Sequence, residues 1–226
     1  MLLTTIDAQP PQLLVTAAAA GLLDLAPAGI AKLAAAGILS TSQGRFHRAD
    51  VEALAALPQL HVTGGEILVV RLAGGDPATG RVHVDMTDQE LIATALQGWR
   101  GDARRMTSCP LLVATVATIP VAVFRITGLA STTTSSSRTV ANRERHRLEG
   151  VLLGRRGREV MCADAQERAW TELVLGSRVV SRSAGPVAYL GGSGEQGGGE
   201  EAEGEAGAEG EAAVDVAVPG DGGQGV

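Results

Sequence analysis

Residues 19–39 read AAGLLDLAPAGIAKLAAAGIL and, after a four-residue linker, residues 44–54 read GRFHRADVEAL. These two runs decide the fold of the amino-terminal quarter. Leu13, Leu14, Ala18, Leu22 and Leu23 fall at helical spacing, which predicts a first helix after the Pro10-Pro11 stop. Pro27 suits the first turn of a second helix, where its missing N–H costs nothing. Ile30, Leu33 and Ala34 form that helix's buried stripe, and Gly37 is placed to end it. Residues 40–46, with turn residues around Gly44, predict a small wing. Arg48-Ala49-Asp50 opens a third helix with Val51, Leu54 and Leu57 inward, stopped by Pro58.

Further along, residues 66–72 and 81–86 read as two strands joined by GGDPATG. Thr87 with Glu90 forms a capping box that opens a helix running to Trp99. Residues 111–119 and 121–127 read as a hairpin around Pro120, or as one long strand with a bulge at the proline. The Ser/Thr run 131–139 predicts a loop, 146–153 a strand, 163–175 a helix and 187–190 a last short strand. From Gly191 onward the chain is mostly Gly, Glu and Ala, with too little apolar surface to offset the entropy of ordering it, so a disordered tail is expected. The fold class expected is α+β: three helices with a wing in 1–60, a small mixed α+β or barrel-like domain in 61–190, and the acidic tail 191–226.

The formal net charge of −6 hides an asymmetry. Residues 1–60 carry three basic and four acidic side chains, 61–190 sixteen and twelve, and 191–226 none and nine. All sixteen basic residues of the middle segment are Arg, whose planar fork suits phosphate or carboxylate; a Gly- and Ala-heavy composition supplies the same richness without a ligand. Cys109 and Cys162 lie far apart in apolar settings, which points away from a disulfide framework or zinc site and toward a reducing cytoplasm. The apolar run 13–26 has no basic stretch before it and is flanked or interrupted by Asp7 and Asp24. The run 111–124 is too short for a membrane span of about 20 residues and is broken by Pro120. A soluble, cytoplasmic protein without a membrane partner is expected.

The residues Ala19-Ala20, Leu22-Leu23, Pro27, Ile30, Leu33, Gly37, Leu39, Gly44-Arg45-Phe46 and Arg48-Ala49-Asp50-Val51-Glu52-Ala53-Leu54 carry a resemblance. Over residues 16–57 the head resembles the MerR-like and excisionase-type winged helix-turn-helix family, which implies DNA binding. The departures fall where DNA would be touched: Asp24 stands where that pattern has Gly, Ala26 where Ser would cap, Gly29 where Thr would meet phosphate, and Ala31 beside a lone Lys32. Base edges are read by Arg, Lys, Asn or Gln, and the second helix offers almost none. Lys32, Arg45, His47 and Arg48 remain as expected phosphate contacts, which add affinity without reading sequence.

Trp99-Arg100, ATVATIPVAVFRITG at residues 114–128, Leu148-Glu149-Gly150 and Gly185-Pro186-Val187-Ala188-Tyr189 carry a second, looser likeness. Residues 98–190 resemble a small PUA-like or SH3-like β-barrel, whose relatives often bind RNA or modified DNA. Arg143, Arg145, Arg147, Arg155, Arg156 and Arg158 would supply the electrostatics, although strand alternation also sends arginines to a solvated face unaided.

Five aromatic residues are too few for a base-stacking platform. His83 and Asp85, two apart on an expected strand, would form an iron site with His146 and make a metal-dependent oxygenase, but the expected strands are too few for that core. The glycine spacings at 75–80 and at Gly192, Gly194 and Gly197 lack the following residues that a phosphate loop or dinucleotide site requires. No nucleophile, base and orienter set is legible, so no enzyme, metal or cofactor is expected. The leading expectation is a non-catalytic DNA-associated regulator or accessory protein, and the alternative is a protein-interaction adaptor with a degenerate helix-turn-helix. The acidic tail would compete with nucleic acid for a basic surface, or simply aid solubility.

Overall fold

The computed structural model describes residues 12–73, 83–137, 140–181, 185–191 and 213–217, with 135–143 and 213–217 as backbone alone. The head contains β1 (Leu13–Leu14), α1 (Thr16–Leu23), α2 (Pro27–Ala35), β2 (Thr41–Ser42), β3 (Arg45–His47) and α3 (Arg48–Ala55). The axes of α1 and α2 turn by 98°. Asp24 makes that corner in the left-handed region at φ 50°, and the Leu25 N–H closes the helix end on the Ala20 carbonyl at 3.0 Å. At the end of α2, Gly37 takes φ 73°. There the N–H groups of Gly37 and Ile38 reach the carbonyls of Ala34 and Leu33, each at 2.9 Å, the paired bonds of a glycine-terminated helix. Gln43 and Gly44, both at positive φ, make the two-residue turn of the β2–β3 hairpin.

Leu13 and Leu14, expected inside the first helix, instead pair antiparallel with His47 and Phe46. The added strand puts β3 in the middle of a three-stranded sheet, where Phe46 is buried.

The rest of the chain is built on one open sheet of order β8-β7-β6-β5-β9, with strands β5 (Glu66–Arg71), β6 (Leu111–Val116), β7 (Ile119–Ser137), β8 (Val140–Arg155) and β9 (Val187–Gly191). Only β5 and β6 run parallel; the other neighbours are antiparallel. Every residue of β6 is buried, as a central strand covered on both faces should be. One face, with Leu68, Val70, Leu112, Ala114 and Phe124, shares a continuous core with Leu23, Ile30 and Leu33 of the head. Leu91 of α4 (Asp88–Ala95) and Met106 of α5 (Ala103–Ser108) close that side. The opposite face, with Ile67, Val69, Val113 and Val123, packs on Trp170 and Val174 of α6 (Ala165–Leu175). The observed class is mixed α+β; β8 and β9 are sheet edges, so the described strands do not close into a barrel.

Several elements differ from expectation. His83–Asp85 forms a 3-10 turn where a strand over 81–86 is expected; the GGDPATG segment lies outside the described residues. The capping box holds, with the Glu90 N–H donating to Thr87 Oγ1 at 3.2 Å and the Thr87 N–H to the Glu90 carboxylate at 2.7 Å. The helix it opens stops at Ala95, and Trp99 instead bridges to His146. The hairpin expected around Pro120 forms, but its turn lies at residues 117–118 and Pro120 is inside β7, with a register shift just before Thr115↔Pro120. The Ser/Thr run is strand: β7 continues to Ser137 against β8. Small β-branched and hydroxyl residues tolerate an exposed ladder that composition alone reads as loop. The helix α5 and the strand β4 (Gln59–Thr63) lack amphipathic patterns long enough to announce them.

Part of the expected disordered tail is a strand: β10 (Ala213–Ala217) pairs parallel with β4, Ala213 opposite Gln59 through Ala217 opposite Thr63. The alternating AVDVA there supplies the apolar pattern its Gly/Glu-rich surroundings lack. Among the described residues no single helix is long and apolar enough to cross a membrane.

Candidate nucleic-acid interface

The head's four expected contacts sit on three elements. Arg45 and His47 flank the buried Phe46 on β3, so period-two alternation turns both to the same outer face. Arg48 follows directly as the first residue of α3. Arg45 and Arg48 are exposed and His47 half-buried. The Arg48 Nε–H donates to Glu52 Oε1 at 2.6 Å and its Nη1 reaches Gln12 Oε1 at 3.4 Å. One turn of α3 therefore partly neutralises it.

Lys32 lies apart, exposed in the last turn of α2. That helix faces outward with Ala28, Ala31, Lys32 and Ala35, while Ile30 and Leu33 point inward. Its amino-terminal half is also engaged by the sheet, since a side chain at Gly29 would meet Ala117 at the β6–β7 turn at 3.8 Å. At its other end the Val84 N–H reaches the Ala36 carbonyl at 3.4 Å. The helix that would enter a groove thus offers one cation and a row of methyl groups.

The six arginines of the second segment divide. Arg145 and Arg147 are exposed on β8, and the Arg145 Nη1 also donates to the Gly98 carbonyl at 2.9 Å. The side chain of Arg143 lies outside the described residues, though its backbone pairs with Ser135. Arg158 is exposed, 3.9 Å from Asp88.

Arg155 is not on the surface. It is 5% exposed, and its guanidinium donates to the carbonyl of Met86 and to Asp88 Oδ1 through Nη1, both at 2.8 Å, and to the His83 carbonyl through Nη2 at 2.9 Å. It fastens the 3-10 turn and the start of α4 to the sheet. Arg156 is half-buried and donates to the Leu175 carbonyl at 2.8 Å; burial lowers its pKa from the ordinary arginine value. Alternation on β8 cannot reveal this, because the strand's last turn of chain is wrapped by α4 and α6.

The iron-site geometry does not form. His83 Nε2 lies 2.6 Å from the Ala73 carbonyl. His146, 2% exposed, is held between Thr132 Oγ1 and the Gly101 carbonyl, both at 3.0 Å. Among the described residues no three His, Cys, Asp or Glu side chains are grouped to hold a metal ion. Both cysteines are free and buried. Burial, assisted by Glu66, pushes the Cys109 thiol up to about 12, the opposite of an activated nucleophile.

Sequence reasoning missed the cluster around Arg105. Its Nε and Nη2 form a fork on the Glu66 carboxylate at 2.9 and 2.6 Å, while the guanidinium carbon stacks 3.9 Å from the Tyr189 ring centre. The pair raises the Arg105 pKa further, and burial raises that of Tyr189. No residue spacing signals it, because the three partners come from β5, α5 and β9. Two clefts of about 440 and 450 Å³ flank the sheet. The first has a floor of Leu111, Leu153 and Trp170 with the Arg125–Glu167 pair at 2.7 Å on its rim. The second holds Arg155 against Asp88 at 2.8 Å. The first lining carries one arginine and two carboxylates and the second three arginines and two carboxylates, and neither includes a head residue. Comparison with protein-family models, with characterised proteins and with solved structures finds no match to this chain.

Proposed function

We propose that this protein is a non-catalytic, DNA-associated regulator or accessory factor. Its head acts as a winged helix-turn-helix, using Arg45, His47 and Arg48 with Lys32 on the phosphate backbone. The observation that carries this reading is the type of hairpin β2–β3 makes. A two-residue turn holds Arg45 and His47 on one outer face, next to the exposed Arg48 that starts α3. Phosphate contacts of this kind set affinity and register but read no sequence. The outward face of α2 offers Lys32 as its one side chain of a base-reading type, so binding is sequence-tolerant and modest.

The test is duplex binding by fluorescence anisotropy between 25 and about 200 mM salt, the range over which phosphate contacts are read from the slope. The full chain is measured beside a variant whose seven glutamates in residues 192–212 are glutamine, which removes seven of the nine acidic charges of residues 191–226. Arg45→Glu with Arg48→Glu should weaken binding sharply and flatten the salt dependence of what remains. Absence of binding at the lowest salt in both tail forms overturns the reading.

One observation favours a second reading, a protein adaptor. The outward face of α2 is Ala28, Ala31 and Ala35 with Lys32 the one charge among them, and Arg48 is already paired with Glu52. An apolar partner on that face would be indifferent to the charge reversal.

A further inference from the structure

At its carboxy-terminal end β8 turns back on itself. The Arg158 N–H reaches the Arg155 carbonyl at 3.2 Å, and between them Gly157 takes φ 75°, a conformation that glycine enters without a Cβ penalty. The chain then returns beside its own strand, with the Met161 N–H on the Leu153 carbonyl at 2.9 Å. Gly154 lets α6 and this return segment close on the strand, since a Cβ there would stand 2.8 Å from Thr171 and 3.2 Å from Val160. The cleft of about 450 Å³ lies here, with Leu152, Val160 and Met161 as apolar lining and Asp88, Glu159 and three arginines as its charges. Its volume falls in the range of small-molecule sites.

The three arginines differ in what already engages them. Arg155 is the strut: buried, it donates to backbone carbonyls and to Asp88 Oδ1 at 2.8 Å, which neutralises that carboxylate. Arg168, half-buried on α6, donates through Nη2 to the Cys162 carbonyl at 2.7 Å and has no ion pair among the described residues. A bond to a neutral carbonyl fixes its position and leaves its charge. Arg158 has 53% of its side chain exposed and stands 3.9 Å from Asp88 Oδ1, the oxygen that Arg155 already holds. Among the described residues its guanidinium makes no hydrogen bond. One free and one positioned guanidinium thus stand against a single remaining carboxylate, the exposed Glu159.

We propose that this cleft binds a small organic phosphomonoester, with Arg158 and Arg168 on the phosphoryl oxygens and the organic group against Leu152, Val160 and Met161. A phosphomonoester carries about −1.5 to −2 charges at neutral pH and three strong acceptor oxygens. That suits two planar guanidinium forks better than one carboxylate would. The apolar lining favours an ester over the bare ion, because Met161, 64% exposed, sheds water only beneath an organic group. The site contains no residue of the head and goes beyond the DNA-binding reading without resting on it.

The experiment titrates the full chain with phenyl phosphate, inorganic phosphate and phenol at neutral pH, read by calorimetry and by the methionine methyl resonances. Phenyl phosphate should bind at a single site, inorganic phosphate about tenfold more weakly, and phenol not measurably. The Met161 methyl should shift, while that of Met106, fully buried in the sheet core, should not. Arg158→Gln should weaken phenyl phosphate about tenfold through lost charge-assisted bonds. Its melting temperature should match wild type, because the guanidinium holds nothing else in place. Glu159→Gln should tighten binding by removing the opposing charge.

A Met161 methyl that stays still at millimolar phenyl phosphate overturns the proposal, and so does unchanged affinity in Arg158→Gln. Inorganic phosphate binding as tightly as phenyl phosphate would mark a bare-anion site and overturns it too. A mixed-sequence DNA duplex that displaces phenyl phosphate would make the cleft a nucleic-acid contact, with the same consequence. Duplex binding that leaves the shifted Met161 signal in place supports a separate small-molecule site, and the head reading then stands or falls on Arg45→Glu with Arg48→Glu alone.

Discussion

Replacing Arg155 by Met asks whether the guanidinium at the end of β8 is a strut or a ligand contact. The loss falls on two places. The Asp88 carboxylate, 37% exposed, is rehydrated once its partner leaves, so that ion pair contributes little. The carbonyls of Met86 and His83 belong to residues 1% and 2% exposed and lose donors at 2.8 and 2.9 Å. Bonds donated by a charged group contribute about 1.5–3 kcal/mol each, and Met recovers roughly 1 kcal/mol through its apolar stem. The expected net destabilisation is about 3 kcal/mol. At a urea m-value of about 2 kcal/mol per M, the midpoint should move by roughly 1.5 M. Equilibrium unfolding followed by the fluorescence of Trp99 and Trp170 measures it. Asp88→Asn serves as the control and should lose less than about 1 kcal/mol. A midpoint for Arg155→Met within about 0.3 M of wild type would refute the reasoning. So would an equal loss in Asp88→Asn, because the ion pair and not the carbonyls would then carry the effect.

Two further outcomes are expected. Asp24→Gly should raise stability by about 0.5 kcal/mol or slightly more, since Asp24 sits at φ 50° in a region glycine enters without a Cβ penalty; a lower melting temperature for the variant would contradict the corner as described. Cys109 titrates at about 12 when folded, against 9.0 for an ordinary thiol. Between those values the native state keeps a proton that the unfolded chain has released, so its contribution is intact below the lower value and declines as pH rises toward the upper. The decline is at most about 1.4 kcal/mol per pH unit. Cys109→Ala should lose less stability than wild type between pH 8 and 10.5, and an identical loss in both proteins would reject the assignment.

The parts of the fold legible in the sequence are those in which local pattern and tertiary environment agree. The Pro27 start and Gly37 end of α2, the Thr87–Glu90 capping box and the α6 helix after its Asp164 cap each depend on bonds within a few residues. The misread parts are decided at long range. Leu14 looks helical until Phe46 offers it a strand partner, and the Ser/Thr run looks like a loop until NRERHR lies alongside. At the candidate interface the residue types were legible but not their fates. Arg45 and Arg147 are both exposed, while Arg155 and Arg156 are drawn inward by backbone carbonyls that only the packing of α4 and α6 brings near. His83, Asp85 and His146 carried the right chemistry for a metal, yet they lie on a 3-10 turn and on β8, and no metal-holding group forms among the described residues.

The pairing of β10 with β4 gives the carboxy-terminal segment a protective task. Among the described residues β10 is the only strand laddered to β4. Trimming the Gly/Glu-rich end, the edit its composition most invites, would bare a row of backbone donors and acceptors beside Leu60 and Val62. Such an edge recruits strands from neighbouring molecules, so the shortened chain would trade solubility for self-association even though the segment removed is the most hydrophilic in the protein.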